Sequence, residues 1–193
     1  MRHSPSHALK ALLWPFCSDT RAVAAVEFAL ILPILLIILI GTSETVETFN
    51  VSRKVGQVAS TVADLTAQAE SVSAADLNDI YDAAEQIMAP YTAAPLTIVI
   101  SSIEIDNDGD AEVDWSNSNK DGSAWSPGEE PPINIPEPIL LPNTFLIVGH
   151  TEYTHVPILA GKLTSYFPRA SEIDMADTFY LRPRLVQRVA GPS

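Results

Sequence analysis

Four acidic side chains near the middle of the chain have a spacing that could bind a metal ion. They stand at every second position around Gly109: Asp106, Asp108, Asp110 and Glu112. Calcium takes about 6 to 8 oxygen ligands, which such a cluster could supply. An EF-hand loop would, however, need glycine where Ala111 stands and a bidentate glutamate where Asn117 stands. We therefore expect a solvated hairpin turn here, with an irregular calcium-binding loop as the alternative.

Other residue types used in catalysis or metal binding form no recognisable pattern. His150 and His155 are five residues apart on a predicted strand, so they should face opposite sides of it. The sequence contains no G-x-S-x-G motif and no G-x-x-x-x-G-K-[ST] phosphate-binding loop. Arg182 and Arg184, on either side of Pro183, are expected to pair with acidic neighbours or to dock a partner. The sequence therefore predicts neither an enzyme nor a cofactor site.

Glu27 is chemically distinctive because it is the only ionisable residue between Ala22 and Ile40. A transmembrane helix needs roughly 20 mostly apolar residues, and this run is long enough. A secretory signal peptide has a shorter apolar region, about 7 to 15 residues, followed by a small-residue cleavage site. No such site occurs in the following "GTSETVETF". We predict an uncleaved transmembrane helix over residues 22–41, with a removed signal peptide as the alternative.

The charge distribution predicts the orientation of this helix. Residues 1–21 carry three Lys and Arg against one Asp, whereas the chain after the apolar run carries 8 against 22 acidic residues. Positive residues in short segments stay on the cytoplasmic side, so the N-terminus should be cytoplasmic and the bulk of the chain extracytoplasmic. A net charge of -13 disfavours binding to nucleic acid. Cys17 is the single cysteine, so no disulfide can form within the chain.

Two helices are predicted between the apolar run and the strands, over an extracytoplasmic helical region at residues 42–90. The first carries an apolar seam at alternating steps of four and three residues: Val51, Val55, Val58, Val62, Leu65, Ala69 and Val72. The seam could pack on the chain's own domain or on partner helices, and it could continue the transmembrane helix with a bend near Gly41. The second helix should begin at Ser73, because "SAAD" is a capping pattern.

Residues 91–193 are predicted to form a β-rich extracytoplasmic domain. A hairpin is expected from "LTIVISSIEI" and "AEVDW", followed by a long exposed loop at residues 116–138. Further strands are expected at "NTFLIVGHTEYTHV" and "IDMADTFYLRPRLVQRV", and the tail after Val189 should fray. The predicted fold class is therefore α+β: a transmembrane helix extending into a long amphipathic helix, then a small antiparallel sheet.

The stretch "RAVAAVEFALILPILLIILIG" resembles the N-terminal signature of the TadE-like and TadG-like proteins of the tight-adherence (Flp) pilus system. The specific part covers residues 21–61, and "EYTHVPIL" and "YLRPR" are weakly similar to late segments of such proteins. The resemblance implies a type IV pilus-like minor pilin or assembly component with a role in cell adhesion, located in the bacterial inner membrane.

The resemblance also implies roles for individual residues. In pilin-like members a membrane peptidase cuts before the apolar segment and leaves glutamate as the fifth residue, which here places the cut between Ala22 and Val23. Processed members have glycine where Ala22 stands and usually tyrosine where Phe28 stands, so an unprocessed anchor is the alternative. Pro33 belongs to the same signature. Glu27 would pair with the new amine of Val23 on a neighbouring subunit, or lie near the interface beside Arg21.

Two functions follow from these features. The first is a non-enzymatic, membrane-anchored pilus assembly component or minor pilin, with membrane lipid, other pilus subunits and a prepilin-type peptidase as partners. The second is a membrane-tethered extracytoplasmic binding module that uses residues 106–112 for calcium or an external ligand. Neither function requires a cofactor or nucleic acid.

Overall fold

The computed structural model describes residues 20–157 and 172–192, with side chains from residue 23 onward. The chain divides into two compact units, Met1–Val46 and Glu47–Ser193. Within the described ranges, two helices precede a four-stranded antiparallel sheet. The predicted α+β class, with an apolar N-terminal helix ahead of a small antiparallel sheet, is confirmed. Cys17 and nearly all of the predicted segment 1–21 lie outside the described residues.

Helix α1 is unbroken from Thr20 to Ala67 and is 48 residues long. Among the described residues it is the one helix that is long and apolar enough to cross a membrane. The helix continues through Gly41, which lies inside its bounds. The predicted extension of the apolar segment into a long amphipathic helix is therefore confirmed.

The sheet consists of four antiparallel strands in the order β2-β1-β3-β4. Their bounds are β1 Thr97–Ile105, β2 Ala111–Ser118, β3 Thr144–His155 and β4 Ile173–Leu181. The β1–β2 register shifts between Ser102 and Ile103, where a bulge interrupts the ladder. Strand β2 is longer than predicted and β4 is shorter, since the chain leaves the sheet at "RPRLVQRV". Pro183 has no N–H to donate to a ladder, which fits the early end of β4.

The apolar seam of α1 belongs to the core of the Glu47–Ser193 unit. Its first four members are at most 1% exposed: Val51, Val55, Val58 and Val62. The prediction of a helical seam is wrong for the last three: Leu65 is 40% exposed, and Ala69 and Val72 lie beyond the helix end, although Val72 is buried in the same core. The buried side continues instead through Thr66 and Ala67. An α-helix repeats every 3.6 residues, so a strict 3.5-residue pattern drifts off the buried side within a few turns.

Helix α1 packs against β3 at a glycine. A Cβ atom on Gly149 would lie 2.3 Å from the Ala59 carbonyl oxygen and 2.9 Å from Val62 Cγ2. The Thr151 hydroxyl donates to the Val55 carbonyl oxygen at 3.2 Å. Of the two alternatives that the sequence leaves for the seam, the structure selects packing on the chain's own sheet.

Helix α2, Ala74–Ile87, begins with the predicted capping box. The Asp76 backbone N–H donates to the Ser73 hydroxyl at 3.2 Å, and the Ser73 backbone N–H donates to the Asp76 carboxylate at 2.8 Å. The Ser73 hydroxyl also donates to the Asp76 carboxylate at 2.7 Å, and this hydrogen bond, followed by that from the Ser73 backbone N–H, lowers the pKa of the Asp76 carboxyl. The buried side of α2 includes Leu77 and Tyr81, and burial raises the pKa of the Tyr81 hydroxyl, which donates to Asn117.

The second face of the sheet is covered by the segment that connects β2 to β3. Most of residues 116–138 are exposed or half-buried, as a loop should be, but Ile135 is only 8% exposed. Ile135 packs with Ile103, Leu146 and Val148 in a separate apolar cluster, joined by Trp125. The loop therefore supplies the layer that closes this face of the sheet.

The C-terminal segment is hydrogen-bonded to the rest of its unit, so the prediction of a frayed tail is wrong up to Gly191. Ala190 exchanges backbone hydrogen bonds with Glu70 at 3.2 Å and Val72 at 2.9 Å. The Trp115 indole N–H donates to the Val189 carbonyl oxygen at 2.8 Å. The residues of each hydrogen-bonded pair are more than 70 positions apart in the chain, so local sequence patterns do not indicate these contacts.

Candidate functional site

The first part of α1, from Val23 to Leu39, exposes apolar side chains on every side. Exposed fractions of its large apolar residues range from 37% for Leu32 to 70% for Ile37, and none of its most apolar window is buried within the described residues. A helix that is apolar all round is typical of a large core or of lipid. This segment is therefore a candidate membrane span by its length and composition.

Glu27 lies on this apolar helix with its carboxylate exposed. No described side chain forms a hydrogen bond or ion pair with Glu27, and the side chain of Arg21 is not among those described. A carboxylate at the centre of a membrane costs about 2.5 to 3.5 kcal/mol on insertion scales. Val23, one helical turn away, lies on the same side of the helix as Glu27. The pairing of Glu27 with a Val23 amine on a neighbouring subunit stays a prediction.

The Ala22–Val23 bond lies within the described bounds of α1, Thr20–Ala67. The side chain of Val23 is 51% exposed and that of Phe28 is 60% exposed. Cleavage between Ala22 and Val23 stays a prediction.

Pro33 is inside α1 and removes one N–H from the helical ladder. The carbonyl of Ala29, four residues earlier, consequently lacks its usual donor. Farther along, the hydroxyls of Thr42 and Thr45 donate to the carbonyl oxygens of Ile38 and Gly41, both at 2.7 Å. Polar hydroxyls whose hydrogen bonds stay within the helix suit an apolar environment.

The acidic positions 106–112 form a tight β1–β2 turn. The Asp106 carboxylate accepts from the backbone N–H groups of Asp108 at 2.8 Å and Asp110 at 2.9 Å. Glu112 is in β2, opposite Glu104 of β1. No group of three or more His, Cys, Asp or Glu side chains in the described part of the chain is arranged to hold a metal ion. The carboxylate of Asp106 therefore acts as a hydrogen-bond acceptor within the turn.

The two histidines of β3 have different surroundings. His150 Nδ1 lies 2.8 Å from Thr178 Oγ1, and its ring centroid is 5.8 Å from that of Trp125. His155 is only 6% exposed, and its Nε2 has no hydrogen-bond partner among the described residues. Their odd spacing along β3 puts them on opposite faces, so the two rings do not form a joint site.

Arg184 connects the C-terminal segment to the end of α1. Its guanidinium forms an ion pair with Asp64, and its backbone N–H donates to the Ala67 carbonyl oxygen at 2.9 Å. Both side chains of the pair are about half exposed. The structure thus favours local pairing for Arg184, while Arg182 has no ion pair among the described residues.

A groove between α1 and the edge strand β4 was not predicted from the sequence. It has a volume of about 750 Å³ and is lined by residues of α1, the segment after α2, and β4: Arg53, Lys54, Gln57, Tyr91, Asp177 and Phe179. We call it the α1–β4 groove. The adjacent basic residues Arg53 and Lys54 were the available signal, because no other two Lys or Arg residues are neighbours in this acidic sequence.

Comparison with known protein families finds a match for one region of the chain. The family model of the TadE-like proteins matches residues 22–64, which include Val23, Glu27, Phe28 and Pro33. No curated protein and no solved structure matched the chain. The resemblance read from the sequence is therefore confirmed over this region. Among the described residues α1 is the one candidate membrane span. Residues 22–64 match the TadE-like domain, and this match supports, at the level of that family, involvement in tight-adherence pilus assembly.

Proposed function

We propose that the protein is a non-enzymatic minor pilin or assembly component that inserts the first, apolar part of α1 into the bacterial inner membrane and packs it against neighbouring subunits. The observation that carries this proposal is the segment of α1 from Val23 to Leu39, which is exposed, apolar on every side, and interrupted by the single carboxylate of Glu27. The charge difference between residues 1–21 and the rest of the chain supports a cytoplasmic N-terminus and an extracytoplasmic Glu47–Ser193 unit.

Glu27 is proposed to fix the register between subunits. A prepilin-type peptidase cuts the bond between Ala22 and Val23, and the new amine of Val23 on one subunit pairs with Glu27 on its neighbour. Pairing offsets the cost of a carboxylate in lipid, and an intramembrane carboxylate commonly marks such a functional contact. Apolar packing alone would allow a helix to slide along its neighbour, whereas an ion pair favours one axial position.

The mature N-terminus is the most direct test of processing. Mass spectrometry of the protein from membranes and from sheared filaments should find a chain that starts at Val23. An intact N-terminal segment in both fractions would contradict cleavage and leave an unprocessed anchor. A processed chain found in membranes but never in filaments would assign it to assembly and not to the fibre.

Glu27→Ala tests the pairing. We expect normal membrane insertion, because the substitution removes an unfavourable charge from lipid, but at least a tenfold loss of filaments in a shearing assay. Glu27→Asp should recover part of the loss, because it retains a carboxylate. Glu70→Ala is the matched control, since Glu70 is exposed in the other unit. Normal filament yield from Glu27→Ala would rule out the pairing.

A further inference from the structure

The α1–β4 groove has the composition of a docking surface for an acidic segment. Helix α1 forms one wall with Arg53 and Gln57, both exposed, and edge strand β4 forms the other with Phe179, which is 44% exposed. The walls meet at Gly56, where an added Cβ would lie 2.4 Å from the Asp177 carboxylate. The groove is open along its length and combines an aromatic surface with amide and cationic donors.

The charge of the groove differs from that of the chain as a whole. The Lys54 ammonium donates to the Ile87 carbonyl oxygen at 2.7 Å, which holds it at the end of α2. An ammonium has three N–H donors, so others can bind a partner. Arg53 has no ion pair among the described residues, whereas Arg184 and Arg188 are paired with Asp64 and Asp114. Asp177 offsets one of the two positive charges and accepts from the Thr178 backbone N–H. The groove retains a positive charge on a protein whose net charge is -13.

The β1–β2 turn offers the complementary charge. Asp108 and Asp110 are exposed, and neither has an ion pair among the described residues. The turn is held in shape by the Asp106 carboxylate and by Asn143, whose backbone N–H donates to the Asp106 carbonyl oxygen at 3.3 Å. A turn that is already ordered loses little conformational entropy on binding.

The positions of turn and groove favour contact between two copies. The turn joins β1 and β2, at one edge of the sheet, whereas the groove borders β4 at the opposite edge. Copies of so acidic a chain repel one another unless a positive surface meets a negative one. A contact between two different surfaces is heterologous, so it can repeat from copy to copy and build a filament.

We propose that the α1–β4 groove of one copy binds the acidic β1–β2 turn of the next copy. Arg53 and Lys54 contact the carboxylates of Asp108 and Asp110, and Phe179 lies under the turn. The contact rests on the proposed role in pilus assembly and specifies the extracytoplasmic surfaces through which subunits meet. It is separate from the helix packing in the membrane and from Glu27.

Disulfide cross-linking of the full-length protein in membranes tests the contact directly. In a Cys17→Ser background, Gln57→Cys and Asn107→Cys are placed in the same chain and mildly oxidised. We expect a ladder of dimers and higher oligomers. Gln57→Cys with Glu85→Cys is the matched control, because Glu85 is equally exposed on α2 and should give no ladder. A dimer from Gln57→Cys alone, a cross-link to a different protein, or no ladder from the test pair would overturn the proposal.

A charge exchange separates the contact from an effect on folding. Arg53→Glu should reduce cross-linking about fivefold, which corresponds to one exposed ion pair of about 1 kcal/mol. Adding Asp108→Lys to the same chain should restore it, since each interface again joins opposite charges. Failure of the double variant to recover would count against the contact. Loss of this ladder with normal Glu27-dependent filaments would overturn only the groove contact, whereas a ladder without filaments would overturn only the pilus role.

Discussion

The two parts of helix α1 contain similar apolar residues, but the first part exposes them and the second part buries most of them. From Val23 to Leu39, apolar side chains surround the helix and stay exposed, while from Val51 to Ala67 all of them except Leu65 lie on one side and are buried in the protein's own core. Val46 is 56% exposed and Val58 is fully buried, although both are valines on one continuous helix. The arrangement of apolar residues around the helix thus distinguishes a segment stabilised by its surroundings from one stabilised by tertiary packing.

The largest loss of stability should come from adding a side-chain atom where α1 and β3 are in close contact. Gly149→Ala puts a Cβ against the Ala59 carbonyl oxygen, and neither backbone can move without displacing the helix. We expect the free energy of unfolding to fall by about 3 kcal/mol. Guanidinium unfolding in detergent, followed by the fluorescence of buried Trp115, measures it.

Gly56→Ala is the matched control for this substitution. Its Cβ would meet only the Asp177 carboxylate, which is the end of a side chain that can turn away. The loss should be at most about 1 kcal/mol. Equal losses at the two glycines would show that close contact between α1 and β3 is not what limits stability.

A pair of valines tests the difference between the two parts of α1. Val58→Ala removes two methyl groups from the core and should lower the free energy of unfolding by about 2 kcal/mol. Val46→Ala removes the same atoms from an exposed position and should change it by less than about 0.5 kcal/mol. The same fluorescence titration compares both variants. Similar decreases in the free energy of unfolding would mean that Val46 is also buried against protein, contrary to the exposed position of its side chain.

The smallest effect concerns the cap of α2, which packs beside the second part of α1. Ser73→Ala should lower the free energy of unfolding by about 1 kcal/mol. Hydrogen bonds from Ser73 lower the pKa of Asp76 from its ordinary value of 3.8, so their stabilisation is present above pH 3.8 and is lost as the pH falls through the lower folded-state pKa. The variant should therefore show a weaker pH dependence of unfolding below pH 4. An unchanged dependence would rule out this role of the cap.

Local patterns predicted the elements of this protein better than they predicted their contacts. The capping residues identified the start of α2, and β-branched residues identified β1 and β3, because these signals depend on neighbours in the sequence. The exposure of Leu65 and the burial of Ile135 were not predicted. Both depend on which surface of the folded unit each residue meets, and that surface is built from distant segments.

The candidate site likewise contains residues that the sequence singled out and a groove that only the folded structure shows. Glu27 stands out in the sequence because it is the single charge in an apolar run, whereas the roles of Val23 and Pro33 follow from the resemblance to TadE-like proteins, and all three roles stay predictions. The α1–β4 groove was missed because its lining comes from three separated segments that only folding brings together. Arg53 and Lys54 are visible as a basic pair, but nothing local places them beside Phe179.

The sequence by itself determined that the chain has an apolar helix with one carboxylate, a capped second helix and several short strands. Periodicity, charge and capping act between residues within a few positions of one another, so they can be read from the order of amino acids. The tertiary structure decided that α1 packs on its own sheet at Gly149, that the β2–β3 segment covers the second face, and that the C-terminal segment is tied to the turn after α1. Those outcomes depend on packing between segments far apart in the chain, which becomes defined only when the whole core forms.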